Sequence, residues 1–356
     1  MVDDAEVNGL PGPVRLTSTV KKGGCAAKIA AGALAELVRG LPSSSHPDLM
    51  VGTEHLDDAA VWRLGPDLAL IQTLDFFTPI LDDARDFGAV AAANALSDVF
   101  AMGGSPITAL TILAYPFGIL PDEVLGELMA GAAEVVAAAG AVLVGGHSIE
   151  DDTLKLGFSV AGLARPEHIW TNAGALPGDV LLLTKALGTG TLSAALKAGE
   201  VAASDISEAV ASMRLVNRHE LPDDLHEAVH AATDVTGFGL LGHAMHVANA
   251  SGVGLRLFPE RVPLLAGARE ALAAGSLTKA HKTNERYVAD RVSGLEGLDP
   301  ITLLTLVDPQ TSGGLLLAVA PERADSVEAH LVARFPRTTR VGRVEETNAL
   351  PPLRLD

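Results

Sequence analysis

The chain has 356 residues with a hydrophobic content of 48%, which supports sizeable cores and excludes a disordered chain despite a net charge of −18. That acidic balance argues against a nucleic-acid surface, which requires clustered Lys and Arg. The length makes two domains the default.

In chain order, residues 1–24 are polar, rich in Gly and Pro, and end in Lys21-Lys22-Gly23-Gly24, which predicts a mobile arm. Residues 28–39 read as a helix stopped by Gly40. Strands are predicted at 59–64 and 68–74 around the turn Gly65-Pro66-Asp67. Asp86 is the expected cap of a long helix reaching residue 102, on which Asn94 and Asp98 are four apart and share a face. A strand at 107–114 follows, and Pro121 opens a helix running to about 139. Residues 141–144 are expected as a short buried strand entering Gly145-Gly146-His147-Ser148, with another strand at 154–163.

The pattern breaks at 165–178, where a domain boundary is expected. Beyond it come strands at 180–184, 254–258, 314–319 and 340–344 and helices near 190–216, 238–250, 265–274 and 321–333. Strand and helix alternate in both halves, so the class is α/β or α+β. The expected organisation is a Gly-rich arm at 1–28, an N-terminal domain at 29–168 and a C-terminal α/β domain at 169–356.

Cys25 is the single cysteine, so neither an internal disulfide nor a zinc-type cysteine cluster is available. The acidic start Met1-Val2-Asp3-Asp4 lacks the basic and apolar regions of a signal peptide. The longest apolar run is too short to span a bilayer. A soluble protein of the cytoplasm is expected, with no membrane partner.

Four stretches place carboxylates among small or apolar residues. They are Glu54-His55-Leu56-Asp57-Asp58-Ala59-Ala60, Thr73-Leu74-Asp75-Phe76-Phe77, Asn94-Ala95-Leu96-Ser97-Asp98 and Thr233-Asp234-Val235-Thr236-Gly237-Phe238-Gly239. A buried carboxylate in such a setting is capped, paired or metal-bound. Hard oxygen ligands from scattered loops suit Mg²⁺ holding a polyphosphate such as ATP. Phosphoryl transfer is the chemistry this predicts.

Two motifs point elsewhere. His226-Glu227-Ala228-Val229-His230 matches H-E-x-x-H, which on a helix would hold zinc, but no third ligand at the usual downstream distance is obvious: His243 and His246 are close, yet the intervening Gly-rich turn is unlike the known pattern. The bland reading is an exposed helix face. Gly237-Phe238-Gly239-Leu240-Leu241-Gly242 matches G-x-G-x-x-G, but residues 226–233 read as helix and turn rather than the strand a dinucleotide fold needs. A tight turn leaving a helix N-terminus facing phosphate is the better use of these glycines. His147 could act as a base or simply hydrogen-bond the backbone.

Together these strings are similar to those of a known family. Gly23-Gly24-Cys25-Ala26-Ala27-Lys28, the Asp-rich stretches, Gly145-Gly146-His147-Ser148, Thr233 through His243 and Asp308-Pro309-Gln310-Thr311-Ser312-Gly313-Gly314 resemble the selenophosphate synthetases (selenide, water dikinases). The resemblance implies the two-domain fold of the aminoimidazole ribonucleotide synthetase superfamily, with N-terminal sheets pairing into a barrel across a homodimer. It implies conversion of ATP, selenide and water to selenophosphate, AMP and phosphate. Asp58, Asp98 and Asp234 would be the metal ligands. Asp75 and Asn94 would belong to the nucleotide shell with Asp98, and Gly146, His147 and Ser148 would contact the nucleotide. His55, Leu56 and Asp57 would line it mainly through backbone. Lys28 would place a charge on phosphate, and Cys25 would occupy the essential Cys or selenocysteine position on an arm that closes over ATP.

Cys25 beside Lys28, Lys21 and Lys22 should have a lowered pKa. The alternative is a small buried residue. Some members carry a second Cys where this chain has Ala27. A selenium-delivery protein is an expected partner. Other readings are a thiamine-monophosphate kinase, purine synthetase or hydrogenase-maturation protein of the same superfamily, or a non-catalytic selenium or nucleotide carrier.

Overall fold

The computed structural model describes residues 15–20, 45–346 and 352–356. In the N-terminal half, β1 (Leu49–Val51), β2 (Ala60–Gly65), β3 (Leu68–Phe77), β4 (Ser105–Tyr115), β5 (Val142–Glu150) and β6 (Lys155–Ala164) form one sheet in the order β1-β2-β3-β6-β4-β5. Helices α1 (Ala84–Ala101) and α2 (Asp122–Ala138) accompany it. Alternation along β3 decides which side chains face inward. Ala69, Ile71 and Phe77 are buried, and Thr73 and Asp75 fall on their side; Leu68, Leu74 and Phe76 stand exposed on the opposite side.

Helix α1 is buried nearly throughout, and its alanines explain how it can be covered on several sides. Gly88 lets it approach α2 closely: a Cβ there would lie 1.9 Å from the Leu128 carbonyl oxygen.

The second sheet contains β7 (Val180–Leu183), β8 (Val229–Asp234), β9 (Gly254–Leu257), β10 (Val292–Ser293), β11 (Leu315–Val319), β12 (Thr339–Glu345) and β13 (Leu353–Leu355), ordered β10-β13-β9-β12-β7-β11-β8. Its helices are α3 (Thr189–Ala198), α4 (Ser207–Arg214), α5 (Asp223–His226), α6 (Gly239–Ser251), α7 (Ala268–Ala274), α8 (Lys279–Val288), α9 (Pro300–Val307) and α10 (Ala324–Val332). Strand β11 is buried on both faces. Leu316 and Ala318 join a core with α6, whereas Leu315, Leu317 and Val319 join a core with α10. Such two-sided burial accounts for its uninterrupted apolar run. The N-terminal core is continuous with Leu192, Leu196, Ala209 and Met213 of α3 and α4, so the two halves share buried contacts.

Several expectations need correction. Asp83, not Asp86, caps α1 by accepting from the Asp86 amide, and the Asp86 carboxylate instead pairs with Arg214. Strand β5 is exposed rather than buried and runs through Gly145-Gly146-His147-Ser148. Gly146 has φ +153, and a Cβ there would meet the Thr111 backbone, so the strand needs glycine at this position. The short strands β1, β10 and β13 carry too few residues to show a period.

Arg15–Val20, inside the segment expected to be mobile, is anchored. Thr17 donates to Asp82 at 2.6 Å, and Leu16 and Val20 are buried. The expected helix at 28–39 lies outside the described residues.

Residues 229–234 form strand β8, which overturns the helix-and-turn reading. A strand therefore does precede the glycine motif. The sheet still does not match a dinucleotide unit, because β8 is an edge strand paired antiparallel to β11, and α6 leads to β9 four positions away. In the turn that follows, the Thr236 amide donates to His243 Nε2 at 3.1 Å.

The H-E-x-x-H residues do not share a helix face. His226 ends α5, stacked on Trp170 with centroids 4.2 Å apart, while His230 lies in β8 with Nδ1 3.0 Å from Asp179. Burial pulls the His226 pKa down to about 4. A histidine held neutral stabilises the fold above its unfolded pKa of about 6.5, and this contribution is lost as pH falls toward 4. Between pH 7.5 and pH 5, His226→Gln should therefore lose about 2 kcal/mol less stability than the wild type. Denaturant titrations of both proteins at the two pH values check this, and equal losses would refute it.

Candidate active site at the domain seam

Asp75 and Thr73 project from the inner side of β3 toward α1. On that helix Asn94, Ser97 and Asp98 stand at i, i+3 and i+4, so one face meets both β3 and the C-terminal half. Asp234 ends β8, and Asp58 lies in the loop between β1 and β2. Residues far apart in sequence thus converge at one seam.

Each carboxylate meets a neutral donor. Thr73 Oγ1 donates to Asp98 Oδ2 at 2.5 Å, and Asn94 Nδ2 donates to Asp75 Oδ2 at 2.5 Å. Ser97 Oγ donates to Asp234 Oδ2 at 2.5 Å, and Thr233 Oγ1 to Asp58 Oδ1 at 3.1 Å. The Asp234 amide also reaches Asp58 Oδ2 at 3.3 Å. Neutral donors orient these groups without cancelling their charge. Burial, then repulsion from Asp234, holds Asp58 and Asp98 well above the usual carboxylate range.

Asp58, Asp234 and His243 place ligand atoms within 4.8 Å of one another. His243 Nε2 accepts from the Thr236 amide, and Nδ1 lies 3.4 Å from Thr233 Oγ1. With both ring nitrogens engaged, oxygen atoms dominate what a cation would meet. Clustered, mutually repelling carboxylates fit a hard divalent ion such as Mg²⁺.

The loop bearing Asp57 and Asp58 is clipped to the interdomain segment. Asn172 Nδ2 donates to the carbonyls of His55 at 3.2 Å and Leu56 at 2.9 Å, and the Asn172 amide donates to Asp57 Oδ1 at 2.6 Å. Leu56 sits at φ +56, a left-handed conformation unfavourable for a bulky residue. The Asn172 contacts offset that strain. They also turn the His55 and Leu56 carbonyls and the Asp57 carboxylate toward Asn172.

The Asp308–Gly314 string forms a second connector. The Ser312 amide donates to Asn94 Oδ1 at 2.8 Å, and the Ser312 carbonyl accepts from Lys185 Nζ at 2.9 Å. Burial lowers the Lys185 pKa to about 7, opposed by the nearby Asp234 charge. Gln310 Oε1 accepts from the Gly188 and Thr189 amides, both at 3.1 Å, which caps α3.

Gly146, His147 and Ser148 stand apart from this cluster. Gly146 is level with Asp75 through Thr111 and Phe158, but β4 and β6 intervene, a span of about 14 Å. Cys25 and Lys28 lie outside the described residues. Thr73, Ser97, Thr233 and His243 lie within the motif strings without a role read from them; the only available signal was a hydroxyl adjacent to Asp98 (Ser97) and to Asp234 (Thr233). Asn172, Lys185 and Asn217 carried no such signal.

Two such α/β halves joined around a carboxylate seam define an AIR synthase related protein. Residues 56–164 match the family model "AIR synthase related protein, N-terminal domain" and residues 177–350 match its C-terminal counterpart. Among solved structures, thiamine-monophosphate kinase from Stenotrophomonas maltophilia K279a has a similar fold, with TM-score 0.63, 20% identity and coverage of 93% of this chain and 96% of that one. The chain is 52% identical over 335 residues to the selenide, water dikinase of Bdellovibrio bacteriovorus, covering 93% of this chain and 95% of the relative. It is 48% identical over 337 residues to that of Nitrosomonas eutropha, covering 94% and 96%. The chain belongs to the selenide, water dikinase family, an enzyme family of phosphotransferases.

Proposed function

We propose that this chain makes selenophosphate from ATP, selenide and water, releasing AMP and phosphate. The observation that carries the reading is the seam itself: Asp58, Asp98 and Asp234 converge from both halves, each oriented by a neutral hydroxyl. Asp58, Asp98 and Asp234 hold Mg²⁺, and Asp75, fixed by Asn94, belongs to the nucleotide and metal shell. When bound, Mg²⁺ neutralises triphosphate charge as two phosphoanhydride bonds are cleaved. His55, Leu56 and Asp57 line the nucleotide mainly through backbone. Lys28 contacts phosphate, and Cys25 handles selenium. Domain limits of 1–28, 29–168 and 169–356 fit this division of labour.

A homodimer completes the reading. Leu74 and Leu110 both oppose Ser159 across the N-terminal sheet, and with Phe76, Val142 and Val144 they leave its outer side apolar and exposed. An apolar sheet side of this kind is an interface feature. A second copy pairing there would also give Gly146, His147 and Ser148 on edge strand β5 a nucleotide to contact across the dimer. Leu74→Asp combined with Leu110→Asp should convert the dimer to monomer, read by light scattering after size exclusion. A variant that remains dimeric would place the interface elsewhere.

Among the described residues no helix is long and apolar enough to cross a membrane. On this reading the enzyme is cytoplasmic and is supplied with selenide by a delivery protein. Anaerobic ³¹P NMR with Mg²⁺-ATP, with and without selenide, tests the activity. A selenide-dependent phosphoroselenoate signal with AMP and phosphate is expected. Formation of ADP without selenide dependence would assign the chain to superfamily kinase chemistry.

A further inference from the structure

Beyond the ligands themselves, we infer that Ser97, oriented by Asn217, is a positioning residue that fixes the Asp234 carboxylate for cation binding. This inference rests on the metal assignment proposed above. Asn217 Nδ2 lies 2.8 Å from Ser97 Oγ and 2.8 Å from the Gly313 carbonyl oxygen, and Ser97 Oγ lies 2.5 Å from Asp234 Oδ2. Ser97, Asn217 and Asp234 are all buried.

The direction of these bonds follows from donor chemistry. A carbonyl oxygen only accepts, so the Gly313 contact fixes which end of the Asn217 amide points into the seam. That end can only donate. Ser97 Oγ therefore accepts from Asn217, and its one proton goes to Asp234. The carboxylate is held in one orientation by a group that carries no charge. A Lys or Arg in the same place would compete with a divalent ion; a hydroxyl does not.

A second observation supports a role beyond packing. Among the described residues, the buried Asn217 Oδ1 has no hydrogen-bond partner. Leaving such an acceptor unpaired opposes folding. A smaller apolar residue would avoid that penalty but would free the Ser97 hydroxyl to rotate. The relay also spans the seam: Ser97 belongs to α1, Asn217 follows α4, and Gly313 precedes β11. Asp234 is thus aligned only when the two halves are seated together.

The test is Mn²⁺ titration of the full chain, with free Mn²⁺ read by electron paramagnetic resonance, for wild type, Ser97→Ala, Asn217→Ala and the double variant. Each single change should weaken Mn²⁺ binding about 10-fold or more. The double variant should bind like Ser97→Ala, because Asn217 acts through the hydroxyl. In turnover, the half-saturating Mg²⁺ concentration should rise while the KM for ATP at saturating Mg²⁺ stays unchanged. A purely structural role would not separate these two constants. Either single variant that keeps wild-type Mn²⁺ affinity, a double variant with multiplied losses, or a wild type that binds no Mn²⁺ overturns the inference. Should ³¹P NMR refute selenophosphate synthesis, the Mn²⁺ series still decides the positioning role.

Discussion

Asp98→Asn should nearly abolish turnover while making the metal-free protein more stable. Asp98 is crowded by Asp234, Asp75 and Asp58, and burial, then these charges, raise its pKa well above the usual carboxylate range. The folded state therefore favours the protonated acid more than the unfolded chain does. Stability from that group is present at low pH and is lost as pH rises through the folded pKa, so ionised Asp98 strains the metal-free fold at neutral pH. Asparagine removes the charge and keeps an oxygen that can accept from Thr73. The metal-free melting temperature should rise by a few °C, about 1–2 kcal/mol for a chain of this size. Stabilisation by added Mg²⁺ should shrink at the same time, since a ligand charge is gone. Turnover should fall on the order of 10²–10³-fold, the scale seen when one preorganised charge-stabilising group is removed. Paired melting curves with and without Mg²⁺, alongside AMP release, check both parts. A metal-free variant less stable than wild type would refute the crowding argument, and unchanged turnover would remove Asp98 from the metal set.

Cys25→Ser should retain ATP binding but lose selenide-dependent product by at least about 10²-fold, because the thiolate is the reactive form and a serine hydroxyl stays protonated. Cys25 is the only thiol of the chain, so its chemistry can be read without ambiguity. Iodoacetamide labelling of the wild type as a function of pH gives the Cys25 pKa directly. The neighbouring Lys21, Lys22 and Lys28 predict a value below the ordinary cysteine pKa of about 8.5. Selenophosphate output equal to wild type in the serine variant would remove Cys25 from the reaction. A labelling pKa at or above the ordinary value would remove the lysines as its activators. The two measurements separate the role of the thiol from the cause of its reactivity.

The sequence by itself determined much of this molecule, and the reasons are local. The apolar-rich run at 68–74 and the Gly65-Pro66-Asp67 turn specify the β2–β3 hairpin, because a short strand and a tight turn need no distant partner. The i, i+4 spacing of Asn94 and Asp98 puts both on one side of α1 before any packing is known. Carboxylates set among apolar residues announce a cation site through their desolvation penalty alone.

Tertiary structure decided what depends on distant partners. Residues 229–234 became a strand because β11 pairs with them, although their local pattern suggested helix and turn. The H-E-x-x-H spacing lost its meaning once α5 stopped at His226 and His230 entered β8. Asn172 and Asn217 are isolated amides in the sequence, yet one holds the Leu56 loop and the other the Ser97 hydroxyl. Hydrogen bonds across more than a hundred residues leave no periodic trace, so carboxylate identity is written in the motifs while carboxylate orientation is set only when the two halves meet.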